Sequence, residues 1–149
     1  MSFTGEYTNS LDYKNRLSVP AKYRKSLNPI NDKTFVICKG FDACLFLYPV
    51  EEWKIVEEQL ISLGSIKDMH RNFIRNIVRH ANYLKYDAQG RIAIPEILLN
   101  YSNIKKDVLV IGMLKKIELW DPPTLDKFDK NNSSLNNQDF DGLADKISF

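Results

Sequence analysis

The chain has 149 residues, 44% hydrophobic and 27% charged, with a formal net charge of +2. That composition suits one globular unit of ordinary size or two intertwined half-units, and excludes a disordered or fibrous chain. No apolar run approaches the roughly 20 residues of a membrane span, and the opening "MSFTGEYTNSLDYK" is too polar for a secretory signal, so a cytoplasmic protein is expected.

The first predicted element is the extended run "GEYTNSL". It leads into Asp12, two variable residues, Asn15 and Arg16. An Asp followed three positions later by Asn or Gly is turn chemistry: the carboxylate accepts from backbone N–H groups just downstream, and the later residue takes positive φ at low steric cost. The alternating strand "LSVP" follows. It ends at Pro20, where a short helix starts, proline being well accepted at the first helical position. Two strands come next, "TFVICKG" and "ACLFLYP", carrying the chain's two cysteines, Cys38 and Cys44. Their apolar flanks and the lack of neighbouring ligands predict buried reduced thiols, not a zinc site or a disulfide.

The best periodic signal runs from Pro49 to Leu63. Trp53, Val56, Leu60 and Leu63 share one face of a helix, and Glu51, Glu52, Lys54, Glu57 and Glu58 occupy the other. A second helix is predicted over Ile66–Tyr83, with Phe73, Ile74, Ile77, Val78 and Ala81 on one side. Together they make a helical hairpin joined around Gly64 and Ser65.

The chain then repeats itself. "ANYLKY" is extended, Asp87, Gly90 and Arg91 restate the turn 75 residues on, and "IAIP", "DVLVIGM", "KKIELWDP" and "PPTLDKFDK" follow in the same order. Beyond Lys130, "NNSSLNNQ" reads as a polar linker, and Phe140, Leu143 and Ile147 mark a short terminal helix. The organisation is thus an N-terminal half over 1–63, a second central helix over 64–83, a C-terminal half over 84–130, and a linker and tail over 131–149. Neither half buries its apolar strand faces alone. The expected fold is α+β: two pseudo-symmetric hairpin-and-helix halves forming one small interlocked β-barrel with helices packed outside, not a doubly wound parallel sheet.

The two turn frames differ in charge. Residues 11–25 carry Lys14, Arg16, Lys22, Arg24 and Lys25 against Asp12 alone, whereas 86–100 carry Arg91 against Asp87 and Glu96. Folding asks the same of both turns, so the excess points to a polyanion facing the first. Basic side chains on a hairpin suit phosphate contacts, and Arg or Asn reach base edges. A solvated basic surface is the bland alternative. Arg71, Arg75 and Arg79 line one helix face and are expected to pair with acidic residues of the preceding helix or of a neighbouring subunit. His70 and His80 lie too far apart on their helix to share a metal. No phosphate loop, nucleophile elbow or metal cluster occurs, so no catalytic residue, metal or cofactor is assigned.

The paired "D-x-x-[GN]-R" frames, "CLFLYPVEEW", the helix ending "VRHA", and "VLVIG" with the later "IELWD" make this chain resemble the MraZ family of bacterial transcriptional regulators, relatives of the AbrB-type swapped-hairpin proteins. The resemblance covers roughly residues 1 to 130. It implies two pseudo-symmetric halves in one chain, a homo-oligomeric, octamer-like ring, and a cytoplasmic, nucleoid-associated protein. It also implies binding of double-stranded DNA at short direct repeats in the promoter of division and cell-wall genes. Carried onto this sequence, Lys14, Asn15 and Arg16 contact DNA with Lys22 and Arg24 in support, while Asp12, Asp87, Gly90 and Arg91 shape turns. Asn15 stands where Gly is usual in the family, which places an amide among the basic residues. The rival expectation is a ring-forming scaffold whose basic face meets an acidic protein partner.

Overall fold

A computed structural model describes residues 1–132 and 137–148. The first half contains β1 (Glu6–Ser10), β2 (Arg16–Ser18), α1 (Ala21–Ser26), β3 (Thr34–Lys39), β4 (Leu45–Pro49), α2 (Val50–Leu63) and α3 (Asp68–Val78). The second contains β5 (Asn82–Lys85), β6 (Arg91–Ala93), α4 (Glu96–Ser102), β7 (Asp107–Met113), β8 (Lys116–Trp120), α5 (Pro122–Asn131) and α6 (Asn137–Ala144). Residues 133–136 of the expected linker lie outside the described residues.

Six strands form an antiparallel sheet in the order β1-β7-β8-β4-β3-β5, and β2 pairs with β6 in a separate ribbon. Exchanging the halves turns that order into its own reverse. Each half also gives its first strand to the other: β1 pairs with β7, with Thr8 opposite Leu109, and β5 pairs with β3, with Tyr83 opposite Val36. The halves therefore divide cleanly along the chain but not in space.

Strand alternation sorts the apolar residues onto two faces. Phe35, Ile37, Leu45, Leu47, Val110, Ile117 and Leu119 pack with Leu17, Val19, Ile92 and Ile94 of the ribbon, so sheet and ribbon share one core. Val36, Cys38 and Phe46 face the other way, onto Trp53 and Leu60 of α2, Ile77 of α3 and Trp120. Cys38 and Cys44 are buried and unpaired, as expected. Burial pushes both thiols up to about 12.

Three details depart from the sequence reading. The second central helix is shorter: it spans Asp68–Val78, and Asn82 and Tyr83, which the expected helix and the expected extended run "ANYLKY" both included, belong to the strand Asn82–Lys85. Pairing with β3 claims Tyr83 for the sheet, because the chain must cross to the partner half there. Its apolar face is also only partly covered, with Ile77 buried and Phe73 and Val78 exposed. Pro20 and Pro95 stand one residue earlier than expected, as N-caps with extended ψ and a φ that the ring fixes. Arg71 pairs with Asp68 of its own helix and donates to Ser65 O (2.9 Å) and Ile66 O (2.6 Å), tying down the α2–α3 turn instead of bridging to α2. His70 caps that junction, its Nδ1 donating to Leu63 O at 3.2 Å.

Candidate nucleic-acid interface

The two turn frames lie side by side on the β2–β6 ribbon, and they match atom for atom. In the first, Asn15 N donates to Asp12 O (3.0 Å) and Asp12 N to Arg16 O (3.0 Å). One Asp12 carboxylate oxygen accepts from the backbone N–H of Lys14 and Arg16 (2.9 Å each), and the other from Arg16 Nε (2.6 Å). In the second, Gly90 N donates to Asp87 O (2.9 Å) and Asp87 N to Arg91 O (3.0 Å). Asp87 accepts from the N–H of Gln89 and Arg91 and from Arg91 Nε, all at 2.9 Å. Asn15 and Gly90 take φ of 58° and 78°, the left-handed region that favours Gly and tolerates Asn.

The turns also hold each other. Val19 N donates to Gly90 O (2.9 Å), and its counterpart Ile94 N donates to Asn15 O (3.0 Å). Arg16 pairs with Ala93 and Ser18 with Arg91 across the ribbon. Arg91 Nη1 reaches Asp12 Oδ2 at 3.8 Å, joining the two Asp–Arg pairs into a four-charge cluster. Desolvation pushes the Asp12 carboxyl up, but the N–H groups of Arg16 and Lys14 and the Arg16 guanidinium outweigh it and hold it below the usual 3.8. Asp87 is lowered likewise, the Arg91 N–H leading.

Around this shared frame the basic residues separate into two sets. Lys14, Lys22 and Lys25 are exposed, as is Asn15 at the tip. Tyr13 is 86% exposed, with Lys14 Nζ 5.6 Å and Arg16 Cζ 5.9 Å from its ring centre. Arg16 and Arg24 are half-buried. Arg16 is held by Asp12 through its Nε, and its side chain is 23% exposed. Arg24 turns toward the second frame: its Nε donates to Val19 O (3.0 Å), and its guanidinium stands 5.9 Å from the Tyr86 ring centre. A Cβ at Gly90 would lie 2.5 Å from Arg24 Cζ.

Sequence reasoning missed the crossed contacts of Arg24 with Gly90 and of Arg91 with Asp12. Neither spacing nor charge carries them, since both join residues more than sixty positions apart. It also passed over Tyr13, although an exposed aromatic between a turn Asp and Lys14 was there to be read. Among the described residues no group of His, Cys, Asp and Glu is placed to hold a metal ion, and no helix is long and apolar enough to cross a membrane.

The profile of the family described as "MraZ protein, putative antitoxin-like" matches residues 2–76 and again 77–145. The chain belongs to the MraZ family. The two matches fall on the two structural halves, so the MraZ unit is the hairpin-and-helix repeat seen here twice. Similar proteins include the transcriptional regulator MraZ of Clostridium tetani, 39% identical over 98% of this chain and 96% of that one. That of Clostridium beijerinckii is 41% identical over the same shares, and that of Pediococcus pentosaceus 36% over 97% and 96%. In MraZ terms, this chain keeps one turn basic and its twin nearly neutral.

Proposed function

We propose that this chain is a DNA-binding transcriptional regulator that meets double-stranded DNA with the turn Asp12–Arg16 and the adjoining face of α1. The observation that carries the reading is the contrast between two turns of identical internal bonding. What both share serves the fold, and what only the first adds serves the ligand. Lys14, Lys22 and Lys25 supply phosphate contacts, while Asn15 and the outer nitrogens of Arg16 are the groups able to read base edges. Arg24 supports from behind, bracing the first half's helix against the second half's turn. Asp12, Asp87, Gly90 and Arg91 set the shape of the ribbon. In this reading the sheet and ribbon work as one interlocked barrel, for which the exchange of β1 and β5 and the shared core speak.

One basic turn makes few phosphate contacts, each of modest worth at physiological salt. A ring of identical subunits engages several short direct repeats at once, and each later engagement is effectively intramolecular. Such repeats are placed upstream of division and cell-wall genes, and the regulator on the nucleoid in the cytoplasm.

The test is binding to a DNA fragment from the gene's own upstream region, titrated with salt, beside random DNA of equal length. A steep salt slope with preference for the repeated sequence is expected. Equal affinity for both fragments overturns the reading and favours a scaffold that meets an acidic protein.

A further inference from the structure

The chain's seven tyrosines divide unevenly. Tyr7 packs on Tyr23, Tyr86 on Phe35 and Tyr48 on Trp53. The hydroxyls of Tyr23, Tyr83 and Tyr101 donate to Gly5 O (2.9 Å), Glu57 Oε1 (3.1 Å) and Gly40 O (2.8 Å). These are tied into the fold. Tyr13 stands apart: it is 86% exposed, and the groups beside its ring are Lys14 Nζ and Arg16 Cζ of its own turn, 5.6 and 5.9 Å from the ring centre.

The second turn shows that folding does not ask for this ring. At the matching place it holds Ala88, and its Asp87, Gly90 and Arg91 still make the bonds that Asp12, Asn15 and Arg16 make in the first. An aromatic left in water gains little apolar burial, and cations beside an exposed ring add only a small attraction. Like the extra lysines, Tyr13 is something the first turn carries beyond the needs of its fold. Its place narrows what it can touch. Tyr13 precedes β2 at one end of the antiparallel β2–β6 ribbon, and a two-stranded ribbon is a form that the major groove of B-DNA, about 12 Å wide, admits. In that groove the thymine C5-methyl is an apolar mark. Ammonium and amide groups make poor use of it, and a flat apolar ring covers it well. A wedge between base steps is the other use of an exposed aromatic, but it belongs to proteins that enter the minor groove, which at about 6 Å is too narrow for a ribbon.

We propose that Tyr13 reads thymine: its ring lies against the C5-methyl group of a thymine in the major groove, beside the base edges that Asn15 and Arg16 address. The inference rests on the DNA-binding reading above and adds to it an apolar discrimination that the polar side chains of the turn do not supply.

The test measures full-length native chain, Tyr13→Ala and Tyr13→Phe on the gene's own upstream fragment, made once with thymine and once with uracil, which lacks only the methyl group. The native chain should bind the uracil fragment more weakly, by roughly fourfold for each turn engaged, the worth of one methyl group withdrawn from water. Tyr13→Ala should bind the thymine fragment more weakly by at least that factor and no longer distinguish the two. Tyr13→Phe should bind as the native chain does, and all three should melt alike, since alanine serves the twin turn. A native chain that prefers the upstream fragment to random DNA but is indifferent to the exchange overturns the proposal and leaves the DNA-binding reading standing. So does a Tyr13→Ala variant weakened equally on both fragments, as a wedge between bases would give, or a Tyr13→Phe variant that loses as much as Tyr13→Ala, which would mark a hydroxyl bond instead. A native chain that binds random DNA as tightly as the upstream fragment removes the DNA-binding reading, and the thymine contact with it.

Discussion

The Arg24 guanidinium of the first half lies directly over Gly90 of the second, so close that a methyl group at position 90 would stand 2.5 Å from Arg24 Cζ. Gly90 thus meets two demands at once, a φ of 78° and an absent side chain. Its twin Asn15 meets only the first, because the residue 75 positions after Arg24 is Leu99, which is buried in the core. The glycine of the second turn is there partly for an arginine of the first half.

Gly90→Ala should therefore cost about 2 kcal/mol, from left-handed strain and displacement of Arg24, which for a chain of this size lowers Tm by roughly 4–8 °C. Asn15→Gly should leave Tm unchanged or slightly raised. Adding Arg24→Ala to Gly90→Ala should cost less than the two single changes summed, since the clash is then gone. Thermal denaturation of the four variants checks this, and strict additivity would refute the close contact.

Much of this fold was legible in the residues. The eight strands, the α2 helix and the duplication follow from alternation, helical spacing and the repeated Asp–Arg frame, all local patterns. The boundary between α3 and β5 was not legible, because Asn82 and Tyr83 fit both the helical spacing and the extended run "ANYLKY", and only the pairing of β5 with β3 decides between them. The candidate site divides the same way. The turns could be read from Asp12, Asn15, Asp87 and Gly90, but the bracing of Arg24 and the reach of Arg91 to Asp12 depend on β2 and β6 of the two halves meeting in one ribbon.

Lys22 and Arg24, alike in a charge count, should behave differently. Lys22 is exposed, so Lys22→Ala should weaken binding to all DNA sequences alike and lower the salt slope by about 0.9, as one lost phosphate contact does. Tm should not move. Arg24→Ala should lower Tm as well as affinity, because it removes the bond to Val19 O and the packing on Tyr86. Salt-dependent binding isotherms beside melting curves separate the two.

Acid should loosen the ribbon. Asp12 and Asp87 have folded-state carboxyls held below the usual 3.8 by N–H and guanidinium partners. A lowered folded value stabilises the protein above the unfolded value, and that contribution is lost as pH falls through the folded value. Tm should thus be level near neutrality and fall below the ordinary carboxylate range. The Asp12→Asn, Asp87→Asn double variant should start lower and lose less of its remaining Tm to acid. An acid profile parallel to that of the native chain would show that these carboxylates do not govern it.

The cysteines should be inert in the folded chain. Both thiols are pushed from 9.0 to about 12, by burial first of all; Lys116 opposes weakly, and at Cys44 the nearby Glu118 and Asp42 add to the rise. Since the thiolate is the reactive form, alkylation near pH 8 should run about a thousandfold slower than for a free thiol. Both should label fully once the chain is denatured. Timed iodoacetamide labelling followed by mass measurement reads this directly, and rapid native labelling of either cysteine would mean that the α2–α3 face opens.

The sharpest test concerns Arg16 and Arg91, whose Nε atoms make the same bond to the same kind of partner, at 2.6 and 2.9 Å. Replacing either with Ala strips an Asp of its guanidinium and two turns of their shared charge cluster, so both variants should lose comparable stability. DNA binding should not follow. Arg16→Ala should abolish preference for the repeated promoter sequence while the assembly persists, whereas Arg91→Ala should keep that preference in whatever fraction remains folded. Arg16→Lys should retain salt-dependent binding but lose discrimination, since an ammonium replaces a planar fork. Matched gel-shift and melting measurements decide it: equal loss of specific binding from Arg16→Ala and Arg91→Ala, with both assemblies intact, would mean that both turns touch DNA and that the excess of charge on the first does not mark the contact.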